Sequence, residues 1–322
     1  MTPTPVLIDC DPGIDDTLAL IYLAALHHLG EIEIVGVTTT AGNTTATQAA
    51  GNARWVLEQL LVDAPVLPGQ PRPRHVEPTT TPETHGPTGL GYLEVPAAPE
   101  EPEGEWAAVW EGGVDKHPDL KLIVTGPLTN LAAFRHSHPE HYARLRRVTV
   151  MGGAVNYRGN TTPTAEWNFW VDPHAAAEVF GDPPAAGIRL CSLEVTEQFL
   201  IDPARLTQLV QDLGDTPIAG ELADVLRFYF EFHHAQGEGY QAQIHALLTC
   251  MIALGTIPYE DISTTIAVEA DSPLMRGTSV ADLRGHWHRS HNARLVTAAD
   301  IDAAHAELTR AARTLAARWP VR

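Results

Sequence analysis

The chain has 322 residues, 44% of them hydrophobic, which suits one α/β domain spanning 1–322 and excludes a disordered chain. A formal net charge of −19 argues against nucleic-acid backbones and anionic membranes as partners, and no run of about 18 apolar residues is present to cross a membrane. Cys10, Cys191 and Cys250 are too far apart to form a disulfide framework, and the N-terminus carries no basic segment followed by an apolar stretch, so a reducing, cytoplasmic setting is expected.

The first element is a short buried strand, Val6–Asp9. It leads into a helix from Asp15 to Leu29 whose first turn is acidic. Ile32–Thr38 reads as a strand, Thr44–Leu61 as a helix and 64–67 as a brief strand. Residues 68–104, rich in Pro, Gly, Thr and Glu, read as a long loop. A strand at Leu120–Thr125 precedes a helix from about Leu128, and Arg147–Met151 is a further strand. Gly152–Val171 is polar and loop-like. Asp172–Phe180 is a short helix with Pro173 in its first turn. Ile188–Cys191 is a strand, Pro203–Leu254 mostly helix, Thr264–Glu269 a strand and Asp300–Ala317 a terminal amphipathic helix. Strands alternating with helices predict a doubly wound, mostly parallel sheet with helices on both faces. Ligands bind such sheets beyond the carboxyl ends of the strands.

The chemistry-bearing residues sit at that edge. Asp9, Asp11, Asp15 and Asp16 fall within DCDPGIDD, directly after the first strand. Helix capping accounts for one or two acids, not four. Close carboxylates raise each other's pKa, so the cluster calls for a cation or a polar ligand among them. The stretch is not an EF-hand, because the sixth and twelfth positions counted from Asp9 hold Ile14 and Leu20. A strand-borne Asp-x-Asp also resembles the haloacid-dehalogenase-like phosphatases, but Gly13 stands where that motif has Thr or Val. TAGN (Thr40–Asn43), TGPLTN (Thr125–Asn130) and MGGAVNYRGNTTPTAEWN (Met151–Asn168) follow other strands, so a parallel sheet brings them to the same rim. Carboxylates, amides and glycines gathered there suit a small hydroxyl-rich ligand and a hard cation. His286, His288 and His291 have zinc-like spacing but lie on no such rim.

In order along the chain, VLIDCDPGIDD, VTTTAGN, HGPTGLG, IVTGPLTNLA, VMGGAVNYRGNTTPTAEWN, VDPHAAAEVF and LMRGTSVADLRGHWHRSHNARL resemble the inosine-uridine preferring nucleoside hydrolase family over nearly the whole chain. The resemblance implies hydrolysis of the N-glycosidic bond of ribonucleosides to ribose and free base, with one Ca²⁺ holding a water and the ribose 2′- and 3′-hydroxyls. It further implies a homodimer or homotetramer. By motif, Asp11 would be metal ligand and general base, Asp16 a second ligand, and Thr125 a ligand through its carbonyl. Asp15, Asn43, Asn160, Glu166 and Asn168 would grip the ribose hydroxyls, with Met151 against the sugar. His85 would lie towards the base, His245 would be catalytic at the leaving base, and Asp9 would support the ligands from behind. QIHALLTCMIAL departs from the family's late His-Asp segment: with His245 in register, Ala246 stands where the last metal carboxylate belongs. A one-residue shift would put His245 itself at the Asp position. In either register that acid is missing, which predicts a weak Ca²⁺ site. It leaves two activities open, an active hydrolase and a weakly active or non-catalytic nucleoside-binding relative. Thr88 likewise stands where the family often has Asp.

Overall fold

The computed structural model describes residues 2–99, 101 and 104–320. Its strands, in chain order, are β1 (Thr4–Cys10), β2 (Ile32–Thr39), β3 (Val66–Pro68), β4 (Lys121–Val124), β5 (Arg147–Met151), β6 (Ile188–Cys191), β7 (Leu200–Ile201), β8 (Ala242–Gln243), β9 (Tyr259–Thr264), β10 (Ile266–Val268), β11 (Ser279–Ala281) and β12 (Ala293–Ala299). Eight of them form one sheet in the order β3-β2-β1-β4-β5-β6-β12-β9, parallel throughout except for the β12–β9 pair at one edge. Val6, Leu7 and Ile8 have no exposed surface, as a central parallel strand covered on both faces requires.

The helix Ile14–Leu29 is buried from Ile14 to Leu26 and packs against the helices Ala46–Gln59, His245–Leu254 and Ile301–Arg318. A helix apolar on nearly every side can only be a core element. Truncating one of its leucines to alanine costs about 2–5 kcal/mol. The opposite face of the sheet carries a second apolar cluster, built around Trp106, Trp110 and Phe134.

Three expectations change in detail. Thr264–Glu269 is two elements: β9 ends at Thr264 on the main sheet, and β10 pairs with β11 in a separate two-stranded ribbon. Pro203–Leu254 is three helices, Pro203–Leu213, Leu222–Ala235 and His245–Leu254, interrupted at Gly214 and in the stretch containing Gly237 and Gly239. The polar segment 152–171 holds a helix, Trp167–Val171, capped by the Glu166 side chain.

The strand order decides where a ligand goes. From β1 the chain winds outward to β2 and β3, then returns to the other side of β1 at β4. The direction of winding therefore reverses between β1 and β4, and a crevice opens there at the carboxyl ends of the two strands. Asp11 follows β1 and Thr125 follows β4.

Candidate active site

The turn after β1 is built around close approaches. Asp11 is fully buried and its Oδ2 accepts the Asn43 amide N–H at 2.7 Å, while the Asn43 side chain donates to the Asp11 carbonyl at 3.2 Å. A Cβ on Gly42 would lie 2.1 Å from Asp11 Oδ2, so only glycine lets the TAGN turn press against that carboxylate. The other oxygen, Asp11 Oδ1, is buried and has no hydrogen-bond partner among the described residues. Behind it, Asp9 accepts Thr38 Oγ1 at 2.6 Å and Asn130 Nδ2 at 2.7 Å on one oxygen, tying β1, β2 and the helix after β4 together. Asp15 and Asp16 occupy the first turn of the Ile14–Leu29 helix, where the positive end of the helix dipole favours acids. Asp16 accepts Thr125 Oγ1 at 2.6 Å, and Asp15 accepts the Ala246 amide at 3.1 Å.

The remaining strand ends supply amides. Asn168 donates to the Thr125 carbonyl at 2.7 Å and lies 3.4 Å from the Met151 sulfur. Glu166 accepts three backbone N–H groups, from Gly153, Asn168 and Phe169, and so fixes the loop that carries it. Asn43, Thr125, Met151, Glu166 and Asn168 are all buried. Asn160 differs: it is exposed, and its Oδ1 accepts the Trp167 amide.

Electrostatically this end of the site is incomplete. Burial raises Asp11 and Asp16 well above the ordinary carboxylate range, with Asp16 adding to Asp11 and Asp15 to Asp16. Burial likewise takes Asp15 to about 6, and Asp9 and Glu166 to about 7. No Arg or Lys among the described residues is a principal cause of any of these shifts. Among the described residues no three His, Cys, Asp or Glu side chains come together to hold a metal ion. Ala246 reaches Asp15 through its backbone N–H, and its side chain, buried in the second position of the His245–Leu254 helix, carries no oxygen. The donors that remain, Asp16, the Thr125 carbonyl and the unpartnered Asp11 Oδ1, are all oxygens and fit a hard cation.

On the other side of Asp15 lies a group of rings. His85 Nδ1 accepts the Ile14 amide at 3.1 Å, which fixes the start of the acidic helix. A Cβ on Gly13 would meet this imidazole at 2.6 Å. His85 packs on Tyr229 with centroids 5.1 Å apart, and Tyr229 packs on His233 at 4.4 Å. His245 bonds Thr196 Oγ1 through Nδ1 at 2.9 Å. Burial lowers His85 and His245 to about 3, which favours their neutral forms. Neither Tyr229 nor His233 stood out in the sequence as a site residue: both lie on an ordinary amphipathic helix, Leu222–Ala235. His286, His288 and His291 are exposed on a separate loop.

Residues 6–306 match the inosine-uridine preferring nucleoside hydrolase family. A pyrimidine-specific ribonucleoside hydrolase RihA from Shewanella sp. (strain MR-7) is 36% identical over 285 residues, covering 86% of each chain. The RihA of Salmonella choleraesuis (strain SC-B67) is 32% identical, over 86% of this chain and 88% of that one. Among solved structures, a purine-preferring ribonucleoside hydrolase from Gardnerella vaginalis superposes with a TM-score of 0.86 at 26% identity, covering 97% of this chain and 99% of its own. With its doubly wound sheet and the acids at its switch point, the chain belongs to the inosine-uridine preferring nucleoside hydrolase family.

Proposed function

We propose that the chain, acting as one domain, hydrolyses the N-glycosidic bond of ribonucleosides to ribose and free base at the Asp11 centre. The observation that carries this reading is the buried, unpartnered Asp11 Oδ1 beside three further buried aspartates at the β1/β4 switch point. Ca²⁺ is the proposed cation, held by Asp11, Asp16 and the Thr125 carbonyl, and when bound it supplies positive charge that acidifies water and fixes the sugar diol. Asp11 Oδ1 then accepts the proton of the attacking water.

The chain's own groups do the rest. Asp15, Asn43 and Asn168 hold the ribose hydroxyls, Glu166 and Asn160 shape the loop over the sugar and complete the grip, and Met151 lies against the ring. As the bond to the base breaks, C1′ and the ring oxygen become positive, and buried carboxylates placed there in advance favour that state. His85 and His245, both neutral, orient the base by hydrogen bonding. Ala246 supports a second reading, a relative that binds nucleosides and turns them over slowly, because one fewer carboxylate weakens the cation. The test is release of ribose from uridine, cytidine and inosine by purified protein after chelation, with and without added Ca²⁺. The hydrolase reading predicts Ca²⁺-dependent release; binding without release on any of the three supports the second reading.

A further inference from the structure

Cleavage leaves an electron pair on the nitrogen of the departing base, and that nitrogen needs a proton. Three buried histidines surround the region, and they differ in what stands behind them. His85 uses Nδ1 to accept a backbone N–H, so protonating that nitrogen breaks the bond holding the acidic helix. His245 has only a hydroxyl behind it. His233 alone has a carboxylate: its Nδ1 lies 2.7 Å from Glu238 Oε2. A carboxylate accepts only, so Nδ1 is the donor and Nε2 is left to face away from Glu238. His233 Nε2 is buried and has no hydrogen-bond partner among the described residues. Glu238 is itself held in place, by Gln243 Nε2 at 3.2 Å and by Arg158 at 3.8 Å. Arg158 comes from the same loop as Asn160 and also bonds Glu197 at 2.8 Å.

We propose that His233, backed by Glu238, is the catalytic acid that protonates the leaving nucleobase, an inference that rests on the hydrolase reading above. In the step, the C1′–N bond breaks and its electron pair passes to the base nitrogen. The Nε2–H of protonated His233 moves to the base, at that nitrogen or at a conjugated carbonyl oxygen. Water adds to C1′ and gives its proton to Asp11, which releases it to solvent while His233 takes one up, so both groups return to their starting states and no net proton is consumed. Its position suits the role: its ring packs on Tyr229, whose hydroxyl feels the charges of Asp15 and Asp16, so the base would lie between the sugar grip and the rings. The charged and titratable groups facing His233 are Glu238, which favours its protonated form, and His85, His245 and Tyr229, which do not. Burial lowers His233 as it does the other two, and Glu238 opposes the drop.

The test compares uridine and inosine with 4-nitrophenyl riboside, whose leaving group needs no proton, in His233→Gln and Glu238→Gln. His233→Gln should lower kcat on the nucleosides about 10²-fold, with a loss on the chromogenic substrate at least tenfold smaller. That substrate also reports that the variant is folded. Glu238→Gln removes the charge that favours protonated His233, so the alkaline fall of kcat on nucleosides should move about one unit to lower pH. Equal losses of kcat on both substrate types, undiminished nucleoside hydrolysis by His233→Gln, or an unmoved alkaline limb in Glu238→Gln would each overturn the proposal. If the wild type cleaves none of the substrates, the failure lies in the hydrolase reading itself.

Discussion

The two sides of the candidate site solve opposite electrostatic problems. On the aspartate side, Asp9, Asp11, Asp15 and Asp16 are packed together, no cationic side chain among the described residues is a principal influence on them, and burial pushes all four towards protonation. On the ring side, burial pushes His85, His233 and His245 towards neutrality, and one carboxylate, Glu238, opposes this at a single ring. On the proposed reading the first side is completed from outside by a cation, whereas the second carries a counter-charge, Glu238, within the fold. This division suits a reaction in which water loses a proton at one end and a base gains one at the other.

The comparison breaks first at Asp11. Asp11→Ala should reduce kcat/KM on every riboside by about 10³-fold or more, because on the proposed mechanism it removes both a cation ligand and the proton acceptor. Steady-state kinetics on a nucleoside and on 4-nitrophenyl riboside checks this, and the two losses should be alike. Next comes Gly42→Ala. Its Cβ would collide with Asp11 Oδ2 and displace the bond from the Asn43 amide. It should cost about 1–3 kcal/mol of stability by overpacking and roughly tenfold in kcat, read by thermal melting and kinetics together. Asn168→Ala should act on the sugar grip, raising KM about tenfold at similar cost to natural and chromogenic ribosides.

The smallest effect is on stability. Glu166 and Asp9 are raised to about 7 in the folded chain, from 4.5 and 3.8. The folded state therefore binds more protons than the unfolded one between those values, and stability falls as pH rises through that window. Chelated protein should melt a few degrees lower at pH 7.5 than at pH 5. Added Ca²⁺ should narrow the gap, because the cation favours the charged acids.

Much of the aspartate side was legible in the sequence, for a physical reason. Asp11, Asn43, Thr125 and Asn168 each lie in a polar stretch that follows a parallel strand, and parallel strands bring those stretches to one rim. The ring side was largely hidden. Tyr229 and His233 sit one turn apart on a helix whose apolar stripe looks like ordinary core, and Glu238 joins them only because the chain turns back after Ala235. Asn160 was legible as a polar loop residue, but its use of Oδ1 to cap Trp167 depends on a helix, Trp167–Val171, too short for periodicity to reveal. Strand β12 escaped notice because ARLVTAA mixes arginine and alanines with few β-branched residues; its place between β6 and β9 makes it a strand. The helix Glu105–Lys116, with Gly112 and Gly113 inside it, has weak helical propensity and is held by Trp106 and Trp110 in the core.

The claim that the aspartate side is completed by a cation, and that Ala246 leaves it one carboxylate short, is tested most directly by calorimetric titration of chelated protein with Ca²⁺. The expected result is one weak site per chain in the wild type, abolished in Asp11→Ala and tightened at least tenfold in Ala246→Asp. No binding by the wild type, or wild-type binding as tight as that of Ala246→Asp, would contradict it.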